Sequence, residues 1–161
     1  MNITVPDIVP LFQPDQTGLC GQTVVAMAAG ISIDEAVVAV GVSSIMDEGG
    51  TYATDLIRGL RKLGVKVGVT CTYPRRPSRR KLRILPKRAI LSIADGTRWG
   101  HWVLYWDGFV YDPGIGWPIP IRVYETSIVE RAYSRCYDRP QDAAKQVIAY
   151  WNEVIPILEK E

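Results

Sequence analysis

Apolar and polar positions follow two different periods along the chain, and the change from one to the other divides it in two. From Cys20 the run CGQTVVAMAAG is almost wholly small and apolar and meets Gly30, which predicts a buried helix of about ten residues. Ser32-Ile-Asp-Glu35 has the spacing of a capping box and opens a second helix, AVVAV, ahead of Gly41. Leu56, Ile57, Leu60 and Leu63 recur at helical spacing and predict a third helix that stops at Gly64. Val65, Val67 and Val69 then alternate as in a strand.

The second half reads differently. Residues 89–94, AILSIA, form a short apolar strand. His101-Trp-Val-Leu-Tyr-Trp106 and Phe109-Val-Tyr-Asp112 flank Asp107-Gly108, a strong signal for a hairpin with a two-residue turn. Residues 119–124 suggest a further strand and 141–155 a C-terminal helix ended by Pro156. Helices first and sheet second, with no repeat and no linker, predict a single α+β domain over residues 1–161.

Composition adds limits. With 161 residues, 47% apolar and 22% charged, the chain has the make-up of one globular domain. It contains no apolar run near the roughly 18 residues of a membrane span, and its N-terminus lacks a secretory pattern. Cys20, Cys71 and Cys136 are odd in number and widely spaced, so they read as reduced thiols and place the protein in a cytoplasm. With one histidine, a structural zinc site would need every candidate ligand, and no metal or cofactor is expected. Eight of the 19 basic residues fall between Arg75 and Arg88 with no acidic residue among them, so segment 72–88 is expected to be a basic surface loop on a net acidic remainder. Nucleic acid is a possible partner for that loop. The near absence of interleaved aromatics disfavours it.

The chemistry lies at Cys20 and His101. Lone cysteines are most often small buried hydrophobes, and Cys71 and Cys136 fit that description. Cys20 differs because it stands where an irregular segment with Pro6, Pro10 and Pro14 becomes a helix. There the helix dipole favours a thiolate, and Gly21 lets a substrate approach the backbone. His101 is the only histidine that could serve as its base. The hairpin register puts Val103 opposite Asp112 and makes His101 its diagonal neighbour, at about 7–8 Å between backbones. That is within reach of an orienting hydrogen bond, although Asp112 also suits a plain turn before Pro113. The backbone N–H of Cys20 and the side chain of Gln13 or Gln16 are candidate oxyanion donors. Trp99, Trp102 and Trp117 are candidate cleft walls.

Gln13-Pro-Asp-Gln-Thr-Gly-Leu-Cys20-Gly21-Gln, together with Gly100-His101-Trp-Val-Leu-Tyr-Trp-Asp-Gly-Phe-Val-Tyr-Asp112-Pro113, resembles the papain-like cysteine peptidases. Within that superfamily it looks closest to the bacteriocin-processing (double-glycine-leader) branch. The resemblance implies a papain-like fold, Cys20 as nucleophile, His101 as base, Asp112 as orienting residue and Gln13 as oxyanion donor. Gly21, Gly100 and Trp102 would border the substrate. The expected activity is hydrolysis of a peptide or isopeptide bond in a protein or peptide substrate through a thioester. Two alternatives remain open: acyl transfer or deamidation at the same site, and a non-enzymatic binding module built on the basic loop.

Overall fold

A computed structural model describes residues 7–14, 18–41, 50–72, 85–94, 100–124 and 151–159. Three helices, α1 (Cys20–Ala29), α2 (Ile33–Val40) and α3 (Ala53–Lys62), precede strands β1 (Cys71–Thr72), β2 (Arg88–Ala94), β3 (Gly100–Trp106), β4 (Phe109–Tyr111), β5 (Pro118–Pro120) and β6 (Trp151–Pro156). The strands form one sheet in the order β1-β6-β2-β3-β4-β5, with every neighbouring pair antiparallel.

The helices begin and end where their residues dictate. Gly30 caps α1 and donates its N–H to Ala26 O. The Ser32–Glu35 capping box closes at the start of α2: Glu35 Oε2 accepts from the Ser32 N–H at 2.9 Å, and Glu35 N–H donates to Ser32 Oγ at 3.3 Å. Asp55 accepts from the Tyr52 N–H at 3.1 Å at the head of α3. In α1 the seven consecutive residues from Gly21 to Met27 are buried, which explains why that segment lacks a polar stripe. Leu56 and Leu60 of α3 are fully buried and each contributes about 2 kcal/mol of transfer free energy.

Period-two alternation sends residues of the central strands to two separate clusters. Ile90, Trp102, Leu104, Tyr111 and Ile155 pack beneath the helices. Ala89, Leu91, Ile93, Val103, Val110 and Val154 pack on the opposite face with Tyr124, Ile115, Ile119, Ile121 and Leu85. Because both faces are covered, β2 reads as a continuous apolar run and not as an alternating one.

Four sequence-based expectations change. Residues 151–156 form strand β6, not the end of a helix, and sit between β1 and β2; the remainder of that expected helix lies outside the described residues. Its helical spacing was overridden by two-sided burial, with Val154 and Ile155 facing opposite clusters. The strand expected at 119–124 stops at Pro120, and 121–124 is helical. The alternating valines form no named strand; Val67 makes an isolated bridge to Ile157. Residues 73–84, most of the basic segment, lie outside the described residues. Its end is not a free loop: Arg88 opens β2, stacks over the Trp106 ring at 4.6 Å and pairs with Asp107 and Glu159.

Candidate active site

The hairpin sets the geometry. Trp106 pairs with Phe109, Tyr105 with Val110 and Leu104 with Tyr111, the register expected for a two-residue turn. Asp107 and Gly108 both have positive φ, 46° and 93°, the signature of a type I′ turn, which matches the right-handed twist of the strands. Gly108 accepts that conformation at no steric cost. Continued one step beyond Leu104 and Tyr111, the register puts Asp112 opposite Val103 and makes His101 its diagonal neighbour, and His101 Nε2 hydrogen-bonds Asp112 Oδ1 at 2.7 Å.

Asp112 is 3% exposed and fully supplied with donors. Oδ1 also accepts from the Gly114 N–H at 2.8 Å, and Oδ2 accepts from the Tyr124 hydroxyl at 2.6 Å. Its main-chain carbonyl accepts from the N–H groups of Ile115 and Gly116 at 2.9 and 3.0 Å. Burial works against the charged carboxylate, but the hydrogen bond and charge of His101, with Tyr124 and Gly114, outweigh it and hold the pKa below its ordinary value.

Cys20 approaches from the helix layer as the first residue of α1. Nε2 of His101 is taken by Asp112, so Nδ1 is the nitrogen left to face the sulfur. Burial acts to raise the Cys20 pKa, yet the hydrogen bond and charge of His101 and the backbone N–H groups of Trp102 and Gly21 bring it below the ordinary value. His101 moves the opposite way. Burial acts to lower its pKa, but the hydrogen bonds and charges of Asp112 and Cys20 raise it to about 10. Both shifts favour the charged forms of two groups in contact beside a buried carboxylate, so their titration belongs to the pair.

The remaining candidates have more varied positions. Gln13 donates its main-chain N–H to Pro113 O at 3.0 Å, which seats it against the residue after Asp112. Its side-chain oxygen is buried with no hydrogen-bond partner among the described residues. Gln16 lies outside the described residues. Gly21 is explained by packing: a Cβ there would fall on the Thr51 hydroxyl and crowd Leu56. The glycine therefore lets α1 approach the chain leading into α3, and its value as an opening for substrate is secondary. Gly100 opens β3 opposite Ala94. Trp102 is 5% exposed and donates its indole N–H to Thr51 O at 3.1 Å. Its side chain belongs to the core beneath the helices, and only its backbone N–H reaches the sulfur. Trp99 lies outside the described residues, whereas Trp117 is 59% exposed.

Sequence reasoning missed Tyr124. No periodicity joins it to Asp112, because a turn, strand β5 and a change to helix intervene. The donors supplied by Gly114 and by the Trp102 backbone were equally invisible, since any residue provides an N–H.

No protein-family model matches the chain, and no curated protein matches it. Its three-dimensional arrangement does have a match. The crystal structure of the peptidase domain of Streptococcus ComA, a bi-functional ABC transporter involved in a quorum sensing pathway, superposes with a TM-score of 0.57 over 95% of this chain and 99% of that one. The fold is that of a papain-like peptidase domain. At 15% sequence identity the likeness is one of fold. In this chain the helices stacked on the antiparallel sheet bring Cys20, at a helix start, to His101 on β3. Among the described residues no single helix is long and apolar enough to cross a membrane; α1 and α2 together have the length and composition, but they are bent by 110° and contribute to the core beneath the sheet.

Proposed function

We propose that this protein is a papain-like cysteine peptidase in which Cys20, His101 and Asp112 form a catalytic triad. The observation that carries the reading is His101 held at 2.7 Å by the buried Asp112 while it also hydrogen-bonds Cys20, so that thiol and imidazole pKa values cross. A structural cysteine has no need of such an arrangement.

In the mechanism the Cys20 thiolate attacks the substrate carbonyl carbon, and the carbonyl electron pair moves to oxygen. The Cys20 N–H, which has no intrahelical acceptor at the first position of α1, and the Gln13 side-chain amide stabilise that oxyanion. Imidazolium His101 then gives its proton to the departing amine as the C–N bond breaks, leaving a thioester. Water enters, His101 takes its proton, the C–S bond breaks, and the acid is released with the thiolate restored. Asp112 stays ionised throughout and keeps the ring oriented. The substrate class is a protein or peptide, in line with the peptidase domain whose fold this chain shares.

Iodoacetamide labelling at pH 6 tests the reading. Selective modification of Cys20, absent for Cys71 and Cys136, is the expected result, with turnover of a peptide library abolished in Cys20→Ala. If the three cysteines react alike, the proposal fails.

A further inference from the structure

Among the described residues, the Tyr124 hydroxyl makes a buried side-chain contact to Asp112 that the reaction does not use. We propose that Tyr124 is a positioning residue, whose hydroxyl, bonded to Asp112 Oδ2 at 2.6 Å, fixes the carboxylate in the orientation that holds His101. The inference rests on the triad reading and extends it by a fourth side chain.

Asp112 has two oxygens and must present one of them to the imidazole. Oδ1 already carries His101 and Gly114. Rotation about the carboxyl bond would exchange the oxygens or turn the plane away from the ring. A donor on Oδ2 opposes that rotation, and a 2.6 Å O–H···O⁻ contact is in the strong, charge-assisted range. It also favours the ionised carboxylate, the form that the imidazolium needs opposite it.

Tyr124 is itself held firmly. It is 1% exposed, and its ring packs in the cluster of Leu91, Val103, Val110 and Val154 behind the sheet. The chain that brings it there folds back on the hairpin: β5 pairs Pro118 with Tyr111, and the Ile121 N–H donates to Gly108 O at 2.9 Å. The excursion from Asp112 to Tyr124 thus starts and ends at one carboxylate. A tyrosine needed only for packing would not have to place its hydroxyl on that oxygen.

The test uses the single histidine of the chain, whose imidazole NMR signals are unambiguous, together with the rate of Cys20 alkylation as a function of pH. In Tyr124→Phe the ring remains and the donor is lost. On acidification, the His101 response to Asp112 protonation, and with it the acid limb of alkylation, should move up by about 0.5 to 1 pH unit. Site-specific 3,5-difluorotyrosine at position 124, a better donor of equal shape, should move both down, and it decides the matter alone if Tyr124→Phe does not fold. In an Asp112→Asn background Tyr124→Phe should have no further effect on either measurement. If both replacements lower the thermal midpoint and leave the titration and acid limb in place, Tyr124 is a packing residue and the inference is overturned. A wild-type Cys20 that alkylates no faster than an ordinary thiol would overturn the triad reading instead, and the His101 titration would still judge the Tyr124–Asp112 contact.

Discussion

The two halves of the site are built by different physics. Cys20 is placed by tight packing: α1 is buried along most of its length, and Gly21 has no room for a methyl group between it and Thr51. His101 and Asp112 are placed by register: a two-residue turn counts out the hairpin, and hydrogen bonds from Gly114 and Tyr124 complete the carboxylate. A packed helix start tolerates no added volume. A hairpin tolerates many side chains, but not a change in count.

Removing the base should have the largest effect, because it leaves the helix half intact and isolates it. In His101→Ala the half-buried thiol loses its principal charge partner, and alkylation of Cys20 at pH 6 should slow by about a hundredfold or more. A smaller loss would mean that the helix start and the two backbone N–H groups suffice to make the thiolate. Asp112→Asn keeps the shape of the register half and removes its charge. Alkylation at pH 6 should fall by about tenfold, and the His101 pKa, now about 10, should move down toward the ordinary histidine value of 6.5, read by NMR.

The packing half is tested by Gly21→Ala, which should destabilise the fold by about 1–3 kcal/mol in urea melts through overpacking. Thr51→Ala in the same chain should recover part of that loss, since the Thr51 hydroxyl is what the new Cβ would meet. If the double variant is no better than the single, the close approach is not the reason for the glycine. The smallest effect is expected in the turn. Gly108→Ala, at φ 93°, should cost about 1 kcal/mol and leave Cys20 alkylation within twofold of the wild type if the hydrogen bonds around Asp112 maintain the register.

Stability should depend on pH at both ends. The Asp112 pKa is lowered in the fold from its ordinary 3.8, so its contribution is present above that value and is lost as pH falls through the folded pKa. The His101 pKa is raised from 6.5 to about 10, so its contribution is full below 6.5 and disappears as pH rises through 10. Thermal midpoints across this range should fall at both extremes, and Asp112→Asn should flatten the acid side.

Much of this was legible beforehand, for local reasons. Ser32 and Glu35 announce a helix start three residues apart, and Asp107-Gly108 announces a turn whose two-residue length fixes every pair in the hairpin, including the diagonal from His101 to Asp112. Such signals act between neighbours in sequence, so no knowledge of the rest of the molecule is needed. What failed were the segments whose structure is decided at a distance. Residues 151–156 carry a helical spacing, yet they become a strand because the slot between β1 and β2 offers backbone partners and buries both faces.

The same division holds at the site. The sequence by itself singled out Cys20, His101 and Asp112 as candidates, because one histidine, one cysteine at a helix start and one aspartate in register leave few combinations. Only the tertiary structure decided how they are held. It assigned Gly21 to packing, sent the Trp102 indole into the core while turning its backbone N–H to the sulfur, and brought Tyr124 to the second oxygen of Asp112. These contacts join residues from a dozen to many tens of positions apart and obey no period, since they arise from packing surfaces against one another and from the need to satisfy each buried polar atom.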